Sequence, residues 1–331
     1  MNDIKKPMAA DYAAQGEIRV SRLEMRFEVP GIESKRIFAN GRMQVRVWVI
    51  VVAVDEDGTP VPLQYFPELI STRLVRYQDG RPLAQEPYAG QPLPGWNASF
   101  MENRYAHEMP GATNSAGGSA GSAGVPVEFW VSSSDVGQLQ IAAEVTVQGK
   151  VYRSNNTINP DGAKLNNSAV ISAERCPGYS PELFSWKSQE VFGAWGGARL
   201  FRYDLGLYSG GQQVKLIDWE THQYGESSRW PVKFCYTGMI ASPSIGRSRS
   251  FTGVMLPVQA TEVDIIGFRV PAIQGDGQLT AFKGMPPVYV RSLEEPRLDP
   301  FRFQVLDEFG NAHPLSLMVD IQSSEFLLVR G

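Results

Sequence analysis

The sequence predicts an all-β protein built from two β-sandwich domains with little helix. Apolar residues recur with a period of two rather than 3.6, and clusters of Gly, Pro, Asn and Asp separate the apolar segments. The chain of 331 residues is also too long for one ordinary core. We predict an N-terminal arm over residues 1–16, a first sandwich over 17–175 and a second over 176–331.

Residues 43–54 form the clearest predicted strand. Every second residue from Met43 to Ala53 is apolar, as expected of a strand that faces a sandwich core. The opposite face becomes apolar only in its second half, so we expect this strand to end covered on both sides.

A β-bulge is predicted in the strand that precedes it. Ile18 and Val20 share one phase of the alternation, whereas the apolar residues from Leu23 onward take the other. An extra residue at Ser21 or Arg22 would return all of them to one core face.

The first domain is expected to be an immunoglobulin-like sandwich. Its other predicted strands are residues 69–77, 127–132, 139–147, 151–153 and 169–173, which brings the total to about the seven that this fold needs. The segment VRVWVIVVAVDEDGTPVPL, residues 45–63, resembles the strand-turn-strand of bacterial immunoglobulin-like repeats of the invasin type. The resemblance implies a fold and no function, because such sandwiches serve as spacers, adhesins and virion decorations alike.

Two segments, VDEDGTPVPL (54–63) and LDEFGNAHPL (306–315), share one pattern of Asp-Glu-x-Gly followed by Pro-Leu. An Asp before a Gly caps main-chain amides while the Gly adopts the positive φ of a hairpin, so both are predicted to be turns. The alternative is a calcium loop at Asp55, Asp57 and Gly58, but no distal Glu is placed to close it.

A tract rich in Gly, Ser and Ala, residues 111–124, is predicted to be a long loop within the first sandwich. It contains GGSAG, residues 117–121, which satisfies the pattern of a serine-hydrolase nucleophile elbow. That elbow needs a strand before it, a helix after it and an activating His, and none is predicted here.

The second domain is predicted to begin near residues 173–186 and to carry a candidate binding surface of aromatic residues. Rings with a flat face and a polar tip suit sugar stacking and protein interfaces, and the alternative is a core of large side chains. The candidate residues are Trp186, Trp195, Trp219, Tyr224 and Trp230. Strands are expected at 214–219, 263–270, 287–290, 301–306 and 326–329.

No catalytic set, metal site or cofactor site is predicted. His107, His222 and His313 lie in turn-like polar surroundings without metal-ligand spacing, and neither Cys176 nor Cys235 has a neighbouring His. The two cysteines are expected to be ordinary thiols, with a single bridge between them as the alternative.

A glycoside hydrolase is the leading enzymatic alternative. Asp218 and Glu220 flank Trp219, and Glu226 follows nearby, so these carboxylates could supply an acid and a base beside an aromatic sugar platform. Asp218 and Glu220 would share one strand face, which is also common for solvated residues.

Charge and hydropathy exclude two classes of partner. A net charge of −4 gives no basic field for nucleic acid, and the arginine segment GRSRS, residues 246–250, is too small to change this. The longest apolar run, residues 47–54, is too short to span a membrane. The first residues lack a signal-peptide pattern, so we expect cytoplasmic synthesis, with incorporation into a particle or export by a non-Sec route.

Two functional hypotheses remain. The first is a non-enzymatic building block of a larger assembly, such as a phage virion, a tail-like particle or a self-assembling structure, with protein partners and a homo-oligomeric state. The second is a glycan- or surface-binding module or toxin that uses the aromatic second domain. Neither requires a cofactor.

Overall fold

The computed structural model describes residues 16–29, 31–63, 70–86, 93–110, 125–193, 198–223, 231–234, 240–242, 247–249, 252–265, 268–285, 299–320, 323 and 325–331. This part of the chain is all-β, as predicted: it contains no α-helix and one turn of 3₁₀ helix, Pro181–Leu183. The chain divides into two compact units, Met1–Cys176 and Pro177–Gly331. The predicted loop at 111–124 lies outside the described residues.

The first unit contains two main sheets, whose strands contact each other. Its strands are β1 (Arg19–Phe27), β2 (Ser34–Phe38), β3 (Val45–Val54), β4 (Pro60–Val61), β5 (Ile70–Arg76), β6 (Ala84–Gln85), β7 (Trp96–Ser99), β8 (Val125–Ser133), β9 (Gly137–Val147), β10 (Lys150–Arg153), β11 (Asn155–Ile158), β12 (Lys164–Asn166) and β13 (Ala169–Glu174). One sheet has the order β1-β3-β8-β7-β6, and β4 also pairs with β3. In the other, β5 and β10 both pair with β9, which continues through β13 to β2.

The core of the first unit confirms the alternation read from the sequence. Every second residue from Met43 to Ala53 is buried, as is Ile50 on the opposite face, so the end of β3 is largely covered on both sides. The register of β1 against β3 shifts between Val20 and Arg22, where the bulge was predicted.

The second unit also contains two main sheets. Its strands are β14 (Phe184–Gly193), β15 (Arg199–Ser209), β16 (Gln212–Val214), β17 (Leu216–Glu220), β18 (Val232–Phe234), β19 (Ile240–Ser242), β20 (Arg247–Arg249), β21 (Thr252–Met255), β22 (Glu262–Ile265), β23 (Phe268–Pro271), β24 (Leu279–Met285), β25 (Phe301–Asp307), β26 (Ala312–Asp320) and β27 (Glu325–Arg330). One sheet has the order β14-β15-β24-β21-β18, with β16 also on β15, and the other has the order β17-β25-β26-β27.

Aromatic rings fill the space between these two sheets. Phe234 of β18 stacks on Phe301 of β25 with ring centroids 4.8 Å apart, and it also contacts Phe326 of β27. A Cβ on Gly253 would lie 2.7 Å from both the Phe234 and the Phe326 ring, so only glycine permits this packing. Of the aromatic segment for which a core of large side chains was the alternative, Phe234 therefore lies in the core.

One predicted strand, residues 263–270, is wrong as a single element. Val263 pairs with Val270 and Ile265 with Phe268, so the segment is the antiparallel hairpin of β22 and β23. The predicted strand at 287–290 lies outside the described residues.

The two units share one order of neighbouring strands. In each, the first strand pairs with the second long strand (β1 with β3, β14 with β15), that strand pairs with a late strand (β8, β24), and the late strand pairs with an earlier one (β7, β21). The opposite sheet follows the order β5, β9, β13 in the first unit and the order β17, β25, β26 in the second. The units differ at the end of this sheet, where β2 lies in the first and β27 in the second.

The first copy of the Asp-Glu-x-Gly pattern is a turn between β3 and β4, as predicted. Asp55 Oδ1 accepts the main-chain N–H groups of Asp57 at 3.1 Å and Thr59 at 2.8 Å. Gly58 adopts a φ of 82°, which a residue with a side chain rarely adopts. The side chain of Asp55 thus closes the turn.

The second copy, between β25 and β26, repeats the turn in a buried setting. Asp307 Oδ1 accepts the N–H groups of Phe309 and Asn311, and Gly310 also has a φ of 82°. Asp307 is 0 % exposed, and its second oxygen lies 3.1 Å from His313 Nε2. The predicted turn-like position of His313 is therefore wrong: it lies in β26 and is buried, with Asp307 as a polar neighbour.

Candidate functional site

The structure describes two of the five candidate aromatic residues. Trp186 lies half-buried in β14. Trp219 is 0 % exposed, and its Nε1 donates to the Leu256 carbonyl at 2.7 Å, so it is a core residue and is not available to a ligand. Trp195, Tyr224 and Trp230 lie outside the described residues.

Trp186 forms one wall of a groove between β14 and β27. The groove encloses about 430 Å³. Among the strands that the structure describes, β14 pairs only with β15 and β27 only with β26, so the groove lies between the open edges of the two sheets. Its lining residues are Pro181, Phe184, Trp186, Ser188, Tyr203, Glu325, Phe326, Leu327 and Leu328.

Side chains of the first sheet close part of the β27 edge. Trp186 Nε1 donates to the Phe326 carbonyl at 3.1 Å, and the Trp186 ring stacks on Tyr203 with centroids 5.0 Å apart. The Tyr203 hydroxyl also accepts the Phe326 main-chain N–H. Both main-chain polar groups of Phe326 therefore point into the groove, away from β26.

The main-chain groups of Leu328 and Arg330 point toward the same open edge. In an antiparallel strand, successive residues direct these groups to alternate sides, so residues 328 and 330 follow Phe326. Gly331 confirms the phase, because its N–H donates to Pro314 of β26 at 3.2 Å. An additional strand beside β27 would find these groups in position for pairing.

An apolar stripe borders this edge on the outer face of the sheet. Leu327 and Met318 are direct cross-strand neighbours, with 49 % and 42 % of their surfaces exposed. Val329, half-buried, continues the stripe along β27. We refer to Met318, Leu327 and Val329 as the apolar stripe.

A buried cation lies between the sheets behind the groove. Lys283 of β24 is 1 % exposed, with its Nζ 3.1 Å from Glu325 Oε1 and 4.5 Å from the centre of the Phe201 ring. The Tyr203 hydroxyl donates to the other oxygen of Glu325. Burial, followed by this hydrogen bond, raises the pKa of Tyr203 well above its usual range, so the phenol stays protonated.

This cluster links the groove to the core. Glu325 is the first residue of β27, and its carboxylate receives both Lys283 and Tyr203 from the opposite sheet. The ion pair and the Trp186 bond therefore fix the position of the open edge relative to β14 and β15. A rigid edge loses little conformational entropy when a partner binds.

Sequence reasoning missed Lys283, Tyr203 and Glu325. A signal was present: Lys283 shares the phase of Leu279, Ala281 and Met285, and all of strand β24 is buried. A lysine at a core position of an apolar strand implies a buried partner.

Two of the three candidate glycosidase carboxylates lie in the described part of the chain. Asp218 and Glu220 are two residues apart on β17, with Trp219 between them, and Glu226 lies outside the described residues. Glu220 lines a second cavity of about 410 Å³ together with His222 and Arg302, and it is the only acidic side chain among the described residues that line it. An acid and base pair needs a second carboxyl group across the cavity.

The calcium alternative at the first turn gains no support. Asp55 uses its Oδ1 for two main-chain N–H groups. Across the described ranges, no group of three or more His, Cys, Asp or Glu side chains is arranged to hold a metal ion. Cys235 lies outside those ranges. Of the arginine segment, residues 246–250, the structure describes only 247–249.

Comparison with known proteins gives no relative from which a role could be transferred. The chain matches no protein-family model, and no curated protein matches it. Within the described residues there is no helix of the length and hydropathy that crossing a membrane requires. Any function must therefore be inferred from the site itself.

Proposed function

We propose that the protein is a non-enzymatic building block of a larger assembly and that the open edge of β27 is its contact surface. The observation that carries this proposal is the edge at Leu328 and Arg330, which pairs with no strand among the described residues, beside the exposed apolar stripe. A strand edge with aligned N–H and C=O groups is a template for pairing with another chain. Natural proteins usually protect such edges with charges, Pro or a covering segment.

The proposed architecture is a pair of immunoglobulin-like sandwiches. In that fold the first, second, fifth and fourth strands form one sheet, and the third, sixth and seventh form the other. The strands β1, β3, β8 and β7, facing β5, β9 and β13, support this assignment for the first unit. The strands β14, β15, β24 and β21, facing β17, β25 and β26, support it for the second. Modules of this kind suit a scaffold that presents edges and loops.

The test uses a proline at the open edge. In Leu328→Pro the main-chain N–H that faces the groove is lost, but no bond to β26 is removed, so the unit should still fold. Leu328→Ala is the matched control, because it shortens the same side chain and keeps the N–H.

Incorporation should be measured by sedimentation of tagged chain from the cells that make it. The unmodified chain and Leu328→Ala should sediment with a heavy particle, whereas folded Leu328→Pro should lose at least ten-fold in the heavy fraction. Equal incorporation of Leu328→Pro, with its thermal unfolding unchanged, would contradict the proposal.

A further inference from the structure

We infer that the second unit carries a binding site for an acidic sugar of the hexuronic acid type, in the cavity lined by Glu220, His222, Arg302 and Gln304. This site is independent of the β27 edge and adds a small-molecule ligand to the proposed function. Two observations support it: the arrangement of these four polar side chains, and the hydrogen-bonding groups that they offer.

The four side chains form a two-by-two array at the pairing of β17 with β25. Glu220, the last residue of β17, is the direct neighbour of Gln304 on β25. His222 lies two residues beyond Glu220, Arg302 lies two residues before Gln304, and all four line one cavity of about 410 Å³. Neighbours across a strand pair have Cβ atoms about 5 Å apart, and residues two apart on a strand are separated by about 7 Å. The array is therefore comparable in size with one sugar ring.

Hydrogen bonds hold the residues that follow β17 against β25. The Thr221 hydroxyl donates to the Arg302 carbonyl at 2.8 Å, and Gln223 Oε1 accepts the Arg302 main-chain N–H at 2.7 Å. Gln223 Nε2 donates in turn to the Pro300 carbonyl at 3.0 Å. The main chain of His222, between Thr221 and Gln223, is therefore fixed beside Arg302 before any ligand binds, which lowers the entropic cost of binding.

Three of the four side chains are available to a ligand. In the part of the chain that the structure describes, the side chains of His222, Arg302 and Gln304 form no hydrogen bond or ion pair. Other arginines of the second unit do pair with carboxylates: Arg199 with Glu190, Arg202 with Asp204, and Arg269 with Glu262. The guanidinium of Arg302 is thus open to an incoming anion.

The hydrogen-bonding groups of the array define the chemistry of the ligand. Arg302 offers donors alone, and its planar guanidinium binds a carboxylate through two parallel hydrogen bonds. Glu220 offers acceptors alone, with about four lone-pair positions, so it can accept a ligand hydroxyl in addition to another partner. The amide of Gln304 offers a donor and an acceptor side by side, which matches two adjacent hydroxyl groups. A ligand that satisfies all three has an anionic end and a hydroxyl-rich end, as an acidic sugar does.

The spacing and the adjoining wall favour a ring between these two ends. Glu220 and Arg302 are diagonal neighbours across the strand pair, and the Cβ atoms of such residues are about 7–8 Å apart. Pro314 of β26 is the direct neighbour of Gln304 and is exposed, so its ring offers an apolar surface to the C–H groups of a sugar. An anion without a hydroxylated ring would leave Glu220, Gln304 and Pro314 unused.

Titration of the full chain with small probes, followed by nuclear magnetic resonance of the probe, tests the ligand class. Glucuronate or galacturonate should bind about ten-fold or more tightly than glucose or galactose, because a hydrogen bond between charged groups contributes about a factor of ten or more. Acetate and glycine carry the carboxylate without the ring and should bind as weakly as the neutral sugars. Equal affinity for acetate or glycine would overturn the inference, as would equal affinity for the neutral sugars or no binding of either uronate.

Arg302→Gln tests whether the uronate binds in this cavity. This variant removes the guanidinium, so the affinity for the uronate should fall to that of the neutral sugar, and the affinity for the neutral sugar should not change. Lys187→Gln is the matched control, because it removes one positive charge from an exposed position of β14 that does not line the cavity and should change neither affinity. Melting temperatures equal to that of the parent chain would show that the variants are folded. A folded Arg302→Gln that keeps the preference for the uronate would overturn the inference.

Glu220→Ala tests the hydroxyl-rich end of the site. It should weaken the binding of the neutral sugar as well as that of the uronate, because both present the same hydroxyl groups to the carboxylate. Unchanged affinity for both sugars in a folded Glu220→Ala would contradict the site, whatever the result for Arg302.

Discussion

The two units share their strand order but end their second sheet differently. In the first unit the edge strand β2 carries Lys35, which pairs with Glu108, and Arg36, which pairs with Glu174 at 3.1 Å. In the second unit the edge strand β27 has the sequence EFLLVR, in which the charged residues Glu325 and Arg330 stand at the two ends and the four residues between them are apolar, with Leu327 exposed.

This difference shows which edge is protected against pairing. Charged side chains on a short strand make strand addition unfavourable, because a partner would have to desolvate them. The five residues of β2 fit this pattern, whereas β27 offers an apolar edge. Since the same strand order tolerates a protected edge in the first unit, the open edge of the second unit is not required by the fold.

The units also differ in how they treat buried charge. In the second unit Asp307 is fully buried in a turn and Lys283 is buried between the sheets. In the first unit the equivalent turn residue, Asp55, is half-buried. The buried Glu144 pairs with Arg73 and Arg153, whose side chains reach the surface. The second unit should therefore be the more sensitive to removal of a single charge.

The largest difference is expected at the two turns. Asp307→Ala should destabilise the protein by about 3–4 kcal/mol, because buried N–H groups lose a charged acceptor. Asp55→Ala should cost about 1 kcal/mol, since water can replace the carboxylate at this more accessible turn. Calorimetry of the whole chain should show melting temperatures lowered by roughly 6–16 °C and 2–4 °C respectively.

Asp307→Asn is the control for the first of these changes, because the amide oxygen can take the place of Oδ1 and still accept the main-chain N–H groups of Phe309 and Asn311. It should cost less than Asp307→Ala. Equal losses at Asp55 and Asp307 would show that burial of the turn adds nothing to its strength.

The turns and the first unit were the most predictable parts of the molecule. The alternation of apolar residues in β3 is unbroken, so its core face could be predicted directly. The bulge near Val20 was predictable because the apolar alternation shifts by one residue there. The hairpin of β9 and β10 was likewise predictable from Gln148 and Gly149, which both have positive φ.

Most strands of the first sheet in the second unit were not predicted, because the alternation of apolar and polar residues is less regular there than in β3. In β15 Tyr203, Leu205 and Leu207 are buried in one phase and Leu200 in the other, and the register against β14 shifts beside Phe192. The alternation over residues 201–207 was present in the sequence and was overlooked, whereas the change of phase at Leu200 obscures the start of the strand. The groove could not be predicted at all, because it depends on two strand edges that are distant in sequence.

The next largest effect is expected at the ion pair behind the groove. Glu325→Ala removes the carboxylate beside the buried Lys283 and should cost about 2–3 kcal/mol, since a buried ammonium loses its countercharge. Lys283→Met together with Glu325→Ala should recover most of this loss, because Met fills the space without charge. Denaturant unfolding of both variants measures the difference. If the double variant is no more stable than Glu325→Ala, the charge pair is not the source of the effect.

The smallest expected effect concerns Glu86, which has no countercharge among the described residues, whereas Lys283 has one. Glu86 is 5 % exposed, its Oε2 has no hydrogen-bond partner among the described residues, and burial raises the pKa of its carboxyl, with the Ser132 hydroxyl acting in the opposite direction. A folded-state pKa above the unfolded one means that the folded chain holds its proton more tightly. Stability should therefore fall as the pH rises from about 4.5 through the raised pKa.

Glu86→Gln keeps the shape and the hydrogen-bonding capacity of the neutral acid, so it should remove this loss and leave the first unit slightly more stable at pH 7 than the unmodified chain. At pH 4 the two proteins should be nearly equal, because both carry a neutral group there. Melting temperatures compared at pH 4 and pH 7 measure this difference. A variant that is less stable than the parent at pH 7 would mean that the ionised carboxylate of Glu86 has a favourable partner. Glu86 in the first unit and Lys283 in the second would then not differ in the pairing of their buried charges.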